Sequence, residues 1–236
     1  MKKFLYLIKV NINLKLIFIY FRHIFFLKFN KNLRKKIIKD YRIFLKKKNI
    51  TQDWFSHNTF DWYLEKKYFL GKKNYLEIGS FEGISAMYVL KEFPNISVTC
   101  VDAWSKTTDG NEVFNLKTVE KNFDYNTQKF NRRIKKIKKL SSNFFISNKN
   151  KYDVIYIDGS HKADDVFEDC KNAWIFLKED GLLILDDFFW KKYNDINENV
   201  AYGIKKFLKT IDSYKIIKLT KYQLFIKKIN NEKKYH

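Results

Sequence analysis

The 236-residue sequence is poor in residues that break or cross-link a chain. It has one proline, seven glycines and two cysteines. With one proline and no stretch rich in glycine or serine, it contains no recognisable flexible linker. The cysteines, Cys100 and Cys170, lie far apart within otherwise regular patterns. This favours buried, reduced thiols in a cytoplasmic protein over a disulfide framework, and no Cys/His group has zinc-binding spacing.

Long hydrophobic runs are also missing. The longest uninterrupted apolar run, LIFIYF at residues 16–21, is far shorter than the roughly 20 residues that a membrane-spanning helix needs. The opening residues resemble a signal peptide but lack a small-residue cleavage site, so we do not expect them to act as one.

Positive charge is abundant but unevenly distributed. The formal net charge is +21, and residues 1–50 hold fifteen Lys and Arg against one acid, Asp40. The other 186 residues carry a net charge of only +7. Because the excess belongs to the N-terminal segment, charge alone does not predict a nucleic-acid partner, and we expect none.

The first fifty residues predict a basic, hydrophobic helical extension. On one continuous helical wheel, its polar residues fall into two stripes on nearly opposite sides. The stripes are Lys2, Lys9 and Asn13, and Asn11, Lys15 and Arg22. Residues 32–48 form a better amphipathic helix, with an apolar side made of Leu33, Ile37, Ile38, Tyr41 and Leu45. Two interpretations stay open: peripheral attachment to an anionic membrane, or packing on the rest of the chain or on a second copy.

Residues 51–236 predict one α/β domain. Short apolar runs alternate with helical patterns, which favours a mainly parallel sheet with helices on both faces. We expect a Rossmann-like, doubly wound sheet of seven strands. The predicted strands are residues 74–79, 96–102, 132–140, 152–158, 181–187, 214–219 and 222–228, with 132–140 as an exposed edge strand.

The stretch YLEIGSFEGISAM, residues 75–87, places two of the seven glycines four residues apart after the first predicted strand. A glycine turn followed by an acid about 20 residues later, here Asp102, is typical of a nucleotide-binding fold. The pattern is E-x-G-x-x-x-G and not G-x-G-x-x-G, so it has fewer glycines for a pyrophosphate. This favours S-adenosylmethionine, which carries no phosphate.

Acids also close the later strands. Asp158 ends the fourth predicted strand, and Asp186 and Asp187 end the fifth. Parallel sheets bind ligands at the carboxyl ends of their strands, so we expect these side chains in one crevice. Carboxylates at such short distances repel one another unless a cation lies between them. Mg²⁺ prefers oxygen ligands of this kind. The alternative is that these acids cap helices or pair with lysines.

Taken together, these motifs resemble the class I S-adenosylmethionine-dependent methyltransferases, in particular the metal-dependent O-methyltransferases of the catechol and macrocin types. The resemblance runs from residue 53 to residue 228. Its most specific pieces are LEIGSFEGIS, VTCVDAW, YDVIYIDGSHKADDVFEDCKNAWIFLKEDGLLILDDFFW and YQLFIKK. Residues 1–50 match no family that we recognise.

The resemblance implies a cofactor-binding set. Its members here are Glu77, Gly79, Ser80, Phe81, Gly83, Ser85, Asp102, Ala103, Trp104 and Ser142. The two glycines would let the loop backbone pass close to the methionine part of the cofactor. Ser85 and the helix N-terminus would bind its carboxylate, and Glu77 would support the loop and the amino group. Asp102 would accept both ribose hydroxyls.

Three further members of this set correspond to positions near the adenine in such enzymes. Ala103 and Trp104 would lie beside the base, and Ser142 matches the family's second adenine-edge loop. Ahead of the first strand, Trp54, His57 and Asn58 are candidates for lining the substrate mouth, and the alternative for them is aromatic packing.

The resemblance also implies the catalytic chemistry. Asp158, Asp186 and Asp187 would bind one Mg²⁺, which holds the substrate hydroxyls and activates the attacking oxygen. His161 stands where sugar-specific relatives have a histidine base, so His161 and Asp158 are the predicted catalytic residues. Trp190 is a candidate wall of the substrate pocket.

We therefore expect a Mg²⁺-assisted O-methyltransferase acting on a small hydroxylated substrate, with a sugar-bearing molecule as one candidate. Two other functions remain as alternatives. An RNA methyltransferase would explain the net positive charge of the chain. A catalytically silent, membrane-associated binding protein would explain the basic, apolar N-terminal segment. We expect a cytoplasmic protein, and peripheral membrane contact and a homo-oligomer both stay open.

Overall fold

A computed structural model describes residues 2–105 and 114–230. In chain order the helices are α1 (Lys2–Lys9), α2 (Leu14–Phe29), α3 (Lys31–Leu45), α4 (Thr59–Leu64), α5 (Ile84–Glu92), α6 (Leu116–Thr127), α7 (Ser141–Ser147), α8 (Ala163–Phe176) and α9 (Val200–Leu208). The strands are β1 (Asn74–Ile78), β2 (Ser97–Asp102), β3 (Ile134–Lys138), β4 (Tyr152–Ile157), β5 (Leu177–Leu185), β6 (Tyr214–Leu219) and β7 (Leu224–Lys228).

The strands form one seven-stranded sheet in the order β3-β2-β1-β4-β5-β7-β6. β1, β2 and β3 pair in parallel, and so do β4 and β5. β7 runs antiparallel to both β5 and β6. The predicted mainly parallel, Rossmann-like sheet is confirmed, and β3 lies at its edge as predicted.

β5 differs from the prediction because it begins at Leu177, four residues before Gly181. Leu177 pairs with Tyr152, and the ladder resumes only at Leu182 after a register shift. Within this irregular stretch Asp180 has a φ of 60°. A Cβ on Gly181 would lie 2.7 Å from the carbonyl oxygen of Lys178, so the bulge requires glycine there. The polar pattern of residues 111–126 also predicts a helix, and α6 begins within it at Leu116. The first three residues of that range lie outside the described ones.

The N-terminal segment is helical, as predicted, but it is not one helix. α1 ends at Lys9, Asn11 has a φ of 53°, and the Asn13 side chain accepts a hydrogen bond from the backbone N–H of Lys15 at 2.8 Å. The two polar stripes on the continuous wheel were therefore an artefact of ignoring this break. Among the described residues no helix is long and apolar enough to cross a membrane.

The chain divides into two compact units, each with its own buried core. One comprises residues 30–149 and holds β1 to β3. The other comprises residues 1–29 and 150–236, of which residues 2–29 and 150–230 are described. In the second unit every residue of β4 is buried, and α2 packs on β6. The predicted domain boundary near residue 50 stays a prediction.

Candidate functional site

The loop between β1 and α5 turns sharply because its backbone enters the left-handed region three times. Gly79, Phe81 and Gly83 have φ angles of 84°, 45° and 78°. Gly83 also has a packing reason to lack a side chain, since a Cβ there would lie 3.0 Å from the Thr127 Cγ2 atom. The E-x-G-x-x-x-G spacing thus produces a compact, buried to half-buried loop, in which glycine permits the left-handed turns.

Glu77 is the second-last residue of β1, just before this loop, and its carboxyl group is fully buried. Burial raises the pKa of Glu77 to about 7, although nearby hydroxyls of Tyr75, Ser85 and Ser80 act in the opposite direction. The Tyr75 hydroxyl donates to Oε2 at 2.8 Å. Within the described part of the chain, no donor is placed well enough to form a hydrogen bond with the Oε1 atom. A buried acceptor in this state favours a ligand that donates to it.

Asp102, at the end of β2, holds the loop from the next strand. Its Oδ2 atom accepts the backbone N–H of Phe81 at 2.8 Å, and its Oδ1 atom accepts that of Trp104, also at 2.8 Å. Burial raises the pKa of Asp102, and these backbone hydrogen bonds act against it. The backbone N–H groups of Ser80 and Ala103 also approach this carboxylate. Its two oxygens lie side by side, an arrangement that suits a pair of donors such as a diol.

Trp104 is buried and contacts the same loop. Its indole N–H donates to the carbonyl of Phe81 at 2.9 Å, and its ring packs against Phe123 at 4.9 Å. Ala103 lies between Asp102 and this anchored ring. Ser85 is buried in the first turn of α5, and Ser142 is exposed in the first turn of α7. The residues predicted from Glu77 to Trp104 therefore surround one loop, with Ser142 on the helix that contacts β2.

Glu82 is a residue of this loop that the sequence did not single out. It is fully buried, and its carboxylate accepts the backbone N–H of Thr51 at 2.8 Å, the Thr51 hydroxyl and the Asn122 side chain at 2.7 Å. The Asn126 side chain also donates to the Glu82 carbonyl at 3.1 Å. Glu82 therefore ties the loop to the segment before α4 and to α6. The only sequence signal was an acid placed between the loop's two glycines.

The Glu82→Ala variant is expected to lower the free energy of unfolding by about 2 kcal/mol, because buried donors left without an acceptor each cost roughly 1–3 kcal/mol. Chemical denaturation measures this change. Glu92, an exposed residue that pairs with Lys91, is the control, and Glu92→Ala should change stability by less than about 0.5 kcal/mol. Equal stability of the two variants would show that Glu82 does not hold the loop.

Aromatic rings border the loop on its solvent side. The half-exposed ring of Trp54 lies 5.1 Å from Phe81 and 5.3 Å from Phe114. These ring contacts are compatible with both interpretations of Trp54, so its role at the substrate mouth stays a prediction. Asn58 is buried instead, and His57 is half-buried.

The carboxylates after β4 and β5 surround a second polar cluster. The Tyr156 hydroxyl lies 2.9 Å from the Asp158 Oδ2 atom and also contacts the Asp186 Oδ2 atom. Gln223 donates to that same Asp186 oxygen at 2.7 Å. One hydroxyl proton serves only one of the two carboxylates at a time. Burial, followed by the charge of Asp187, raises the pKa of Asp186 to about 6. Sequence reasoning missed Tyr156 and Gln223 because both looked like ordinary strand residues.

His161 lies in the wall of a hollow beside this cluster. The hollow is partly open to solvent and has room for only about one water molecule. It is lined by Ile157, Asp158, Gly159, Ser160, His161, Val166, Leu185, Asp186, Asp187, Val200 and Ile204. The Nε2 atom of His161 lies 2.9 Å from the Asp187 Oδ2 atom, and its ring is 5.7 Å from that of Trp190. The predicted catalytic residues Asp158 and His161 therefore share one hollow with Asp186 and Asp187.

The arrangement of these acids does not match a metal site. Asp186 uses Oδ1 to accept the backbone N–H of Asp187 at 2.7 Å, and its Oδ2 atom accepts from Gln223 and Tyr156. Asp187 is turned toward His161. Over residues 2–105 and 114–230, no group of three or more His, Cys, Asp and Glu side chains has metal-binding geometry. The residues as placed do not fit Mg²⁺.

Comparison with known families decides the class of the chain. The family model described as "Methyltransferase domain" matches residues 76–188. That segment contains the loop after β1, Asp102, Asp158 and the Asp186–Asp187 pair. Residues 76–188 therefore form part of a class I, S-adenosylmethionine-dependent methyltransferase domain. None of the curated proteins matches the chain.

Solved structures share the fold of this methyltransferase. A Staphylococcus aureus protein, provisionally named a caffeoyl-CoA O-methyltransferase, has a TM-score of 0.58 at 18% identity and covers 85% of this chain and 98% of its own. The Bacillus cereus O-methyltransferase solved with SAH has a TM-score of 0.53 at 16% identity, with coverage of 82% and 88%. A Clostridium thermocellum protein, provisionally named an rRNA methylase, has a TM-score of 0.53 at 12% identity, with coverage of 72% and 97%. At such identities the similarity establishes the fold, and the acceptor of the methyl group does not follow from it.

The methyltransferase loop fits its cofactor. S-adenosylmethionine carries a cationic amino group and a ribose diol. The buried Oε1 atom of Glu77 is an acceptor that suits the amino group, and the paired carboxylate oxygens of Asp102 suit the diol.

Proposed function

We propose that this methyltransferase moves the methyl group of S-adenosylmethionine to a hydroxyl oxygen of a small molecule, with catechols and sugar-bearing molecules as the acceptor classes. The observation that carries the proposal is the His161–Asp187 pair in the wall of the hollow. The names of the Staphylococcus aureus and Bacillus cereus proteins support an oxygen acceptor.

The loop between β1 and α5 would hold the methyl donor. Glu77 would accept from the amino group, and Asp102 would accept from the two ribose hydroxyls. The backbone N–H groups in the first turn of α5 have no acceptor within their own helix, so with Ser85 they would bind the carboxylate. When bound, the cofactor supplies an electrophilic methyl group on a positively charged sulfur.

His161 would activate the acceptor. With Asp187 ionised, the Nε2 atom of His161 carries the proton of their shared hydrogen bond, and Nδ1 is the ring nitrogen with the lone pair. That nitrogen takes the proton of the acceptor hydroxyl as its oxygen attacks the methyl carbon. A C–O bond forms and the S–CH₃ bond breaks, with its electron pair passing to sulfur. Asp187 stabilises the resulting imidazolium.

The resemblance to metal-dependent O-methyltransferases implies Mg²⁺ at Asp158, Asp186 and Asp187. In the described arrangement the oxygens of Asp186 serve Tyr156, Gln223 and the backbone N–H of Asp187. A metal bound at the Oδ2 atom would have to displace one of its two donors. We therefore assign proton removal to His161 and include no metal in the reaction.

An acceptor screen tests the proposal. The full-length protein is incubated with methyl-labelled S-adenosylmethionine and a panel of catechols and hydroxylated sugars, with bulk RNA as a competing acceptor and with or without excess EDTA. Label in a small hydroxylated molecule supports the proposal, and label in RNA alone contradicts it. Turnover is expected to persist in EDTA. Loss that Mg²⁺ restores would show that the acids rearrange around a metal.

The raised pKa of Glu77 predicts a pH-dependent affinity. Its folded-state pKa of about 7 lies above the ordinary 4.5, so between these values the free protein holds a proton that the unfolded chain has lost. Its contribution to stability is therefore largest at low pH and declines as pH rises through this window. A bound ammonium group favours the carboxylate, so cofactor binding should release protons and tighten with pH over the same range.

Calorimetry in buffers of different ionisation enthalpy measures this release. The Glu77→Gln variant keeps the shape of the side chain and retains Asp102, whose pKa burial also raises. The variant should show a flatter pH profile and less proton release. An unchanged release would assign the effect to another group.

A further inference from the structure

α2 exposes a continuous stripe of large apolar side chains. Its members recur at intervals of three and four residues, which places them on one side of the helix. They are Leu14, Phe18, Phe21, Phe25 and Phe29. Phe18, Phe21 and Phe25 are 68%, 47% and 63% exposed. Single exposed apolar residues need no explanation, but a row of five on one helix marks an interaction surface.

The opposite side of α2 is already occupied. It buries Leu16, Ile19, Tyr20, His23 and Leu27. The helix contacts β6, and Tyr20 packs against Phe189 at a ring distance of 5.2 Å. α1 is fixed in the same unit, with the Lys3 amino group over the rings of Phe189 and Tyr222. One side of α2 is therefore packed on the chain, and the opposite side presents a separate, exposed apolar stripe. Packing of the N-terminal segment and its binding to another surface are thus compatible.

Positive charge borders the apolar stripe. Lys15 and Arg22 lie on one side of it and Lys28 on the other, and all three are exposed. α1 adds exposed Lys2 and Lys9, while Leu5 and Ile8 are exposed apolar residues of the same helix. Residues 1–29 contain no Asp or Glu. An apolar row between long basic side chains matches a helix that lies in the interface of an anionic bilayer.

We propose that the α2 stripe and its bordering basic residues bind the surface of an anionic lipid membrane, with α2 parallel to it. The phenylalanines enter the acyl boundary, and the Lys and Arg side chains reach the phosphate groups. A second copy of the chain is a poorer occupant, because a symmetric interface would bring these basic residues toward one another without acids to pair them.

Vesicle sedimentation tests the proposal. Full-length protein is mixed with vesicles of phosphatidylcholine alone or with added phosphatidylglycerol, at low and high salt. Binding is expected only with phosphatidylglycerol and should weaken as salt rises, since basic contacts with anionic lipid are screened. The triple variant Phe18→Ser, Phe21→Ser and Phe25→Ser should lower the partition coefficient by about tenfold or more, because binding scales with the apolar area inserted.

The double variant Ile146→Ser and Ile175→Ser is the matched control. These residues are 85% and 58% exposed, on α7 and α8, so their replacement should leave vesicle binding unchanged. Thermal unfolding and cofactor binding verify that all forms are folded. Absence of binding by the native chain, or equal binding by the triple variant, would overturn the proposal. A native dimer that the triple variant makes monomeric, without vesicle binding, would assign the stripe to a second copy.

Discussion

The His161→Ala variant is expected to lower kcat by about 100- to 10,000-fold, the usual contribution of a positioned general base. The loss should fall on kcat, because His161 lies in the acidic hollow and Asp102 and Glu77 are left intact. Calorimetry should therefore give an unchanged dissociation constant for S-adenosylmethionine. The measurement is steady-state turnover of an acceptor found in the screen.

Two companion variants sharpen the test of His161. Lys162→Ala changes an exposed neighbour in the same loop and should leave turnover nearly unaffected. Asp187→Asn keeps the shape of the partner but removes its charge, so it should reduce kcat less than loss of the imidazole. Wild-type turnover in His161→Ala would show that proton removal belongs to another group.

The Asp102→Ala variant is expected to weaken S-adenosylmethionine binding by about 1–3 kcal/mol, the scale of lost charge-assisted hydrogen bonds. This corresponds to roughly 5- to 150-fold in the dissociation constant. Two effects contribute, because Asp102 would hold the ribose and also accepts the backbone N–H groups of Phe81 and Trp104. Titration calorimetry measures the change.

Asp102→Asn separates these contributions, since its amide oxygen still accepts one backbone hydrogen bond but its amide group cannot accept from both ribose hydroxyls. The exposed acid Asp40 on α3 provides the control, and Asp40→Ala should bind the cofactor like the native chain. Unchanged binding by Asp102→Ala would remove Asp102 from the cofactor site.

The sequence predicted those features that depend on local pattern. The strands β1, β2 and β4 were placed within a residue or two because each is a short apolar run bounded by turn residues or acids. The edge position of β3 followed from the many basic residues at 132–140. The acids after β4 and β5 were expected to be close because parallel strands end at one edge of a sheet. His161 and Asp187 do share a hydrogen bond.

The features that were missed depend on contacts between distant residues. Glu82 accepts from Thr51 and Asn122, and no local pattern links these three positions. Tyr156 and Gln223 meet Asp186 through the pairing of separate strands. Their hydrogen bonds engage oxygens that the sequence assigned to Mg²⁺. The break after α1 was missed because a helical wheel assumes a continuous helix, whereas Asn11 adopts a left-handed backbone conformation.

The most direct test of the central claim is to identify the atom that receives the methyl group. The full-length protein is supplied with ¹³C-methyl S-adenosylmethionine and the best acceptor from the screen, and the product is analysed by NMR and mass spectrometry. The account predicts a single labelled methyl group bonded to oxygen, formed by the native protein and nearly lost in His161→Ala. A labelled methyl on nitrogen or carbon, or no product despite tight cofactor binding, would contradict it.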